Sequence, residues 1–197
     1  GTARTSGPAT AARRLDKLLH LIPRNAQQPY DMHRVIGELA DENSVLTLQG
    51  DYGASLITCL ARLGGCAVGI VANQPQVTAG AITPEAADKA ARFIDRCGGF
   101  NLPVVFLADN PGILPGRQAE QQGGLRHAAD MYAAQARLRS PKLHVTLRKA
   151  YGFGSSVMAM NPFDGQTLTL AFPGAALAGI PADGGADAAA ADPSMKA

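Results

Sequence analysis

Arg148 to Ser156 reads RKAYGFGSS. It follows an alternating, β-prone run, Lys142 to Leu147, and precedes a short apolar segment, Val157 to Met160. A chain that leaves a strand, crosses two close glycines and opens a helix gathers unpaired backbone N–H groups at one point. Gly152 and Gly154 permit positive φ and close approach to the main chain. The helix start adds partial positive charge. Such a corner suits an oxyanion, a carbonyl oxygen gaining charge and held by N–H groups rather than by a titrating side chain.

Other readings compete for these nine residues. A dinucleotide loop needs G-x-G-x-x-G, but Val157 stands at the third glycine. A serine-hydrolase elbow needs G-x-S-x-G, and neither Ser155 nor Ser156 has those flanks. A plain strand-to-helix turn that needs small residues for packing fits as well. The choice falls to the rest of the chain.

Upstream, Leu102 to Ala108 is fully apolar, and so is Cys66 to Ala72 (CAVGIVA), as strands covered on both faces should be. Between them Thr83-Pro84-Glu85 supplies an N-cap, a proline at the first helical position and an early acid. Ala87, Ala90, Ala91, Ile94 and Cys97 repeat at helical spacing until Gly98–Gly99. The spacing predicts a long helix over Ala119 to Arg139 and a closing strand over Thr167 to Phe172. Strand, helix, strand, helix, strand is the rhythm of a parallel α/β sheet. Nearer the start, Ser44 to Leu48 and Leu56 to Leu63 are strand candidates, with Gly64–Gly65 turning into Cys66. Asp31 caps a helix with Val35, Ile36 and Leu39 on one side. Leu15 to Ile22 forms a short helix, and Arg24 to Pro29 is a linker. Gly1 to Arg14 is a flexible tail.

In such sheets ligands gather where strand carboxyl ends open into loops. Asn73 to Gly80, Asp109 to Gly116 and Ala150 to Ser155 are three such loops. Asp109 orients the site or opens an Asx turn. Arg126 and His127 contact an anion or are solvated, and Arg148 and Lys149 guide an anion or form salt bridges.

The 197 residues make one domain, 46% hydrophobic and 17% charged. Tryptophan is absent and aromatics are 5%, which argues against stacking platforms for nucleic acid. A net charge of +2 is too small to imply a polyanion partner. With no apolar run of transmembrane length and no signal-peptide pattern, a cytoplasmic protein without a membrane partner is expected. Cys59, Cys66 and Cys97 are expected as free buried thiols. The four histidines are scattered, and no metal site is expected.

At its loops the chain resembles the carboxyltransferase (beta) subunits of biotin-dependent acyl-CoA carboxylases. VGIVANQPQVTAGAI, AARFIDRC, NLPVVFLADNPGILPG, GGLRHAADMYAA and SPKLHVTLRKAYGFGSSVM carry the resemblance, in order and correctly spaced. It covers about Tyr30 to Ile180 and falls on the C-terminal half of such subunits. It implies a crotonase-like ββα spiral domain at 30–180, preceded by a flexible tail and linker (1–29) and followed by a low-complexity tail (181–197). It implies a fragment that lacks the acyl-CoA-binding N-terminal half and receives carboxybiotin from a biotin carrier.

The implied reaction moves CO₂ from carboxybiotin to the α-carbon of an acyl-CoA. Backbone N–H groups of Phe153 and Gly154 fall at the family's oxyanion hole for the biotin ureido oxygen. The resemblance implies that Gly152, Ala79 and Gly80 line the cofactor, that Tyr151 and Phe153 form a wall against it or belong to the core, and that Asn73 and Gln74 donate to the ureido group or cap the turn. Where the family commonly has Tyr-Gly-Gly-Ala-Tyr-Asp, this chain has Tyr151, Gly152, Phe153, Gly154, Ser155 and Ser156. Ser156 thus replaces an aspartate associated with acyl-chain choice. Implied partners are the N-terminal half, a biotin carboxylase or biotin carrier subunit, and further copies in a homo-oligomer. Two alternatives are a non-catalytic oligomerisation or carrier-docking module and a biotin-dependent acyl-CoA decarboxylase subunit.

Overall fold

The computed structural model describes residues 15–161, 165 and 167–179. The low-complexity tail expected at 181–197 lies outside these residues. Leu56–Leu63 (β2) and Cys66–Asn73 (β3) form an antiparallel hairpin with Leu63 opposite Cys66. Gly64 and Gly65 close it with φ of 57° and 80°, the doubly positive pair a two-residue hairpin favours. The Asp41 carboxylate accepts both glycine N–H groups, at 2.9 and 2.7 Å. Leu46–Leu48 (β1) adds a third antiparallel strand beside β2.

From β3 onward the sheet is parallel. Pro84–Gly99 (α3) connects β3 to Val104–Asn110 (β4). Arg117–Gln121 (α4) and Gly124–Arg137 (α5) connect β4 to Lys142–Tyr151 (β5). Thr167–Ala171 (β6) pairs with the first part of β5 and Ala176–Ala178 (β7) with its last part. Every residue of β4 is buried, because both faces of the sheet are covered. One face carries Val104, Phe106 and Val71 against α3 and α5; the other carries Val105, Leu107 and Ile70. Leu18–Leu21 (α1) and Met32–Leu39 (α2) close that second face through Leu18, Met32, Val35 and Ile36.

The Ala-rich helix packs close. A Cβ on Gly69 of β3 would lie 2.6 Å from Cys97 Sγ, so glycine lets α3 sit directly on the strand. Thr83 caps α3 as expected, its hydroxyl accepting from Ala86 N–H at 3.2 Å. Lys89, fully buried in α3, donates to the carbonyls of Gln49 and Tyr52, tying the β1–β2 connection down. Burial pushes its ammonium down to about 8.

Several expectations need correction. The single helix over Ala119 to Arg139 is two, α4 and α5, because Gly123 turns left-handed (φ 76°) and Gly124 packs on the Ala119 carbonyl. Cys59 and Cys97 are buried, but Cys66 begins β3 beside the hairpin turn and is exposed. The linker of Arg24 to Pro29 is bonded to the sheet: the carbonyls of Asn25 and Gln28 accept from Arg148.

Candidate functional site

Three parallel strands end together, and Asn73 joins the end of β3 to the end of β4. At the last position of β3 its carboxamide is wholly buried and has three partners. Nδ2 donates to the Gly80 carbonyl at 3.0 Å, while Oδ1 accepts from Asp109 N–H at 3.1 Å and Asn110 Nδ2 at 3.3 Å. Asn110 Oδ1 accepts from Gly112 N–H at 3.0 Å, so Asn110, not Asp109, makes the Asx turn. The turn between β3 and α3 is strained: Thr78 and Ala79 have φ of 45° and 54°. Such outliers cost on the order of 1–3 kcal/mol each and cluster where the surrounding structure over-determines the backbone. Gly80, at φ 82°, packs on the Asp109 carbonyl where any Cβ would clash.

The third strand end enters a helix without an intervening loop. Tyr151 ends β5 in extended conformation, and Gly152–Val157 (α6) begins at the next residue. The two glycines serve different needs. Gly152 takes φ 56°, the left-handed turn that redirects the chain. Gly154 has no unusual φ, but a Cβ there would lie 2.5 Å from Asn110 Oδ1 and 2.8 Å from Gly112 Cα. Its missing side chain is what lets α6 rest on the 109–116 turn. The first-turn N–H groups, those of Phe153 and Gly154 among them, have no acceptor within the helix. Phe153 is 39% exposed, its ring tilted against Tyr132 at 5.7 Å between centroids.

Beneath this corner β5 bulges. Ala108 pairs with Thr146 but Asn110 pairs with Ala150, so one residue of β4, Asp109, faces three of β5: Leu147, Arg148 and Lys149. The buried Asp109 carboxylate fills the gap. Its Oδ2 accepts from Arg148 Nε at 2.6 Å, and its Oδ1 lies 3.9 Å from Lys149 Nζ. Arg148 Nη1 donates to the carbonyls of Asn25 and Gln28 at 2.6 and 2.8 Å, and the guanidinium lies 4.6 Å from the Tyr30 ring centroid. Burial lowers the pKa of Lys149, and the Asp109 charge opposes that shift. Burial, then the same charge, pushes the Tyr30 phenol up.

Of the residues singled out in the sequence, Gly80, Gly152, Phe153 and Gly154 stand around this junction. Ala79 is exposed beside Gly80, and Tyr151 and Ser156 are half-buried. Asn73 and Gln74, read as donors to the ureido group or as caps of the turn, have buried side chains that are hydrogen-bonded within the protein. Gln74 Oε1 accepts from Met32 N–H and its Nε2 donates to Asp31. Arg126 is exposed on α5, and His127 is half-buried there. Arg148, expected either to guide an anion or to bridge, bridges. Ser156 Oγ accepts from Asn161 Nδ2 at 3.0 Å.

Sequence reasoning missed His144. It is wholly buried, with Nδ1 2.7 Å from the Met158 carbonyl and Nε2 2.8 Å from Thr146 Oγ1. A carbonyl only accepts, so Nδ1 carries the proton and Nε2 accepts from the threonine hydroxyl. His144 therefore fastens the residue that follows α6 to the middle of β5. The signal was a histidine and a threonine two apart in an alternating strand, which puts both on one face.

Among the described residues no group of three or more His, Cys, Asp or Glu side chains could hold a metal ion. Residues 3–196 match the carboxyl transferase domain family, and the chain belongs to it. It is 43% identical over 173 residues to the propionyl-CoA carboxylase beta chain of Cereibacter sphaeroides, covering 88% of this chain and 34% of that one. It is 44% identical over 145 residues to the methylmalonyl-CoA decarboxylase subunit alpha of Veillonella parvula, covering 74% and 28%. The solved transcarboxylase 12S structure, a hexamer with hydrolysed methylmalonyl-coenzyme A bound, superposes with a TM-score of 0.88 at 37% identity over 94% of this chain and 36% of that one. The fold is thus crotonase-like, as the resemblance implied. The chain spans about a third of the length of the curated relatives it matches. Among the described residues no helix is long and apolar enough to cross a membrane.

Proposed function

We propose that this chain is the carboxybiotin-receiving half of an acyl-CoA carboxyltransferase. The observation that carries the reading is the opening turn of α6. Its N–H donors sit at the end of a parallel strand, held there by a glycine too tightly packed to be anything else. The donor set fits a ureido carbonyl: it is neutral, made of backbone, and flanked by the half-exposed Phe153 ring. Carboxybiotin on a carrier protein supplies the carboxyl group when bound. The chain's own part is to hold the ureido oxygen on the N–H groups of Phe153 and Gly154 and to keep that corner rigid. One such preorganised donor contributes on the order of 3 kcal/mol to transition-state stabilisation. Ala79 and Gly80 border the same corner, Tyr151 leads into it, and Ser156 at the far end of α6 tunes acyl choice. The acyl-CoA-binding half, the carrier and its carboxylase, and further copies of the subunit complete the enzyme, with residues 30–180 as the receiving domain in a cytoplasmic setting.

A second reading, decarboxylation of an acyl-CoA with carboxyl transfer to biotin, uses the same corner and draws on the likeness to the Veillonella subunit. One assay separates the outcomes. This chain is mixed with a separately made acyl-CoA-binding half and supplied with free biotin and malonyl-CoA or methylmalonyl-CoA. Turnover that needs both halves supports the shared site and ranks the substrates. If the halves associate and nothing turns over, the reading is wrong and a docking role takes its place. Carboxylation of an acyl-CoA by carboxybiotin in the assembled complex favours the first reading, and decarboxylation alone the second.

A further inference from the structure

We propose that Asp109 is a positioning residue of this site. Its carboxylate fills the β5 bulge and, through Arg148, clamps the Arg24–Pro29 segment to the strand that delivers α6. The inference rests on the carboxyl-transfer reading only for what α6 does; the clamp itself stands on the geometry.

A regular strand sends successive side chains to opposite faces. In β5 the successive Arg148 and Lys149 both reach one carboxylate, at 2.6 and 3.9 Å. The bulge makes that possible and, in turn, depends on it. From Thr146 to Ala150 β5 advances by four positions while β4 advances by two, from Ala108 to Asn110. On the β4 side Leu147 to Lys149 have no ladder partner and are located there by side chains, while on the other side the pairing with β7 starts only at Lys149, opposite Ala176. Lys149 is two residues before Tyr151, which caps α6, so the seat of the carboxylate sets where α6 opens.

The same residue is fixed on its other side. Asp109 N–H donates to Asn73, and the Asp109 carbonyl seats Gly80. All three strand ends are thus referenced to one residue. Arg148 spends its remaining bonds on two carbonyls of a segment 120 and 123 residues away in the chain. That is a use for a rigid fork, and a lysine cannot reproduce it. Removing either partner strands a buried charge, which a buried pair tolerates poorly.

The test is amide hydrogen exchange on the chain as it stands, with D109N and R148K. In both, segments 148–158 and 24–30 are expected to exchange about tenfold faster, while α3 keeps its protection. In the assembled two-half enzyme the same variants are expected to lower kcat about tenfold and leave KM for the acyl thioester unchanged. If D109N fails to fold, R148K, which keeps the charge, carries the test alone. Wild-type exchange in both segments overturns the clamp, and so does acceleration spread equally through α3. A wild-type enzyme with no biotin-dependent turnover removes the carboxyl-transfer reading, and exchange still decides the clamp.

Discussion

His144 lets the site's rigidity be read as a function of pH. Burial holds its pKa below the ordinary value, although the bond to the Met158 carbonyl works against that shift. The folded state keeps the ring neutral because a second proton would sit on Nε2, where Thr146 now donates. A depressed folded pKa means the unfolded chain binds the extra proton first. The stabilisation is therefore complete above the unfolded value, about 6.5, and is lost as pH falls below it. Urea midpoints measured between pH 7.5 and 5 are expected to fall more steeply for the wild type than for His144→Gln. The difference should approach about 1 kcal/mol per pH unit within the window. Parallel curves would mean that the ring protonates without penalty and that the assigned tautomer is wrong.

At the scale of elements, α6 is a six-residue helix whose place depends on its neighbours rather than on its own propensity. Phe153 and Gly154 predict different responses to substitution. Phe153 offers a side chain to solvent and to Tyr132, but its proposed contribution is the main-chain N–H. Phe153→Leu is expected to keep transfer within about threefold, because a backbone donor survives the exchange. Gly154→Ala drives a Cβ into Asn110 and Gly112, shifts the opening turn, and is expected to cost about a hundredfold in kcat. Near-neutral kinetics for Gly154→Ala, at unchanged melting temperature, would refute the oxyanion-hole assignment. Much of this element pattern was legible in the sequence. The caps at Asp31 and Thr83, the two-glycine hairpin and the apolar strands all announce themselves locally. The β5 bulge did not, because LHVTLRKA alternates acceptably without one and only the register against β4 reveals it. The break between α4 and α5 had only Gly123–Gly124 as its signal, because Glu120 to Gln122 carry no apolar residue whose spacing could decide it and glycine within a helical pattern is tolerated at a cost. The internal bonds of Asn73 and Gln74 were hidden for a related reason: a polar pair at a strand end looks the same whether it faces a ligand or the scaffold.

For the whole molecule, the sheet divides two apolar clusters, and the second is closed by the chain's first described residues. Leu18 and Ile22 are 3% and 8% exposed in that cluster, so the boundary the sequence suggested near Tyr30 cuts through packed structure. The same segment supplies the Asn25 and Gln28 carbonyls that satisfy Arg148. Trimming the chain to start at Tyr30 would therefore uncover part of a core and also leave a buried guanidinium short of acceptors. Burial of the two side chains alone is worth on the order of 3–6 kcal/mol as an upper bound. That is a large share of the 5–15 kcal/mol typical of a native domain. The trimmed chain is expected to unfold at much lower urea and to expose apolar surface to a hydrophobic dye. Should the Tyr30 chain match the parent in urea midpoint, the packing of α1 would be incidental, and β5 would have to hold Arg148 and the site above it without help from the N-terminal segment.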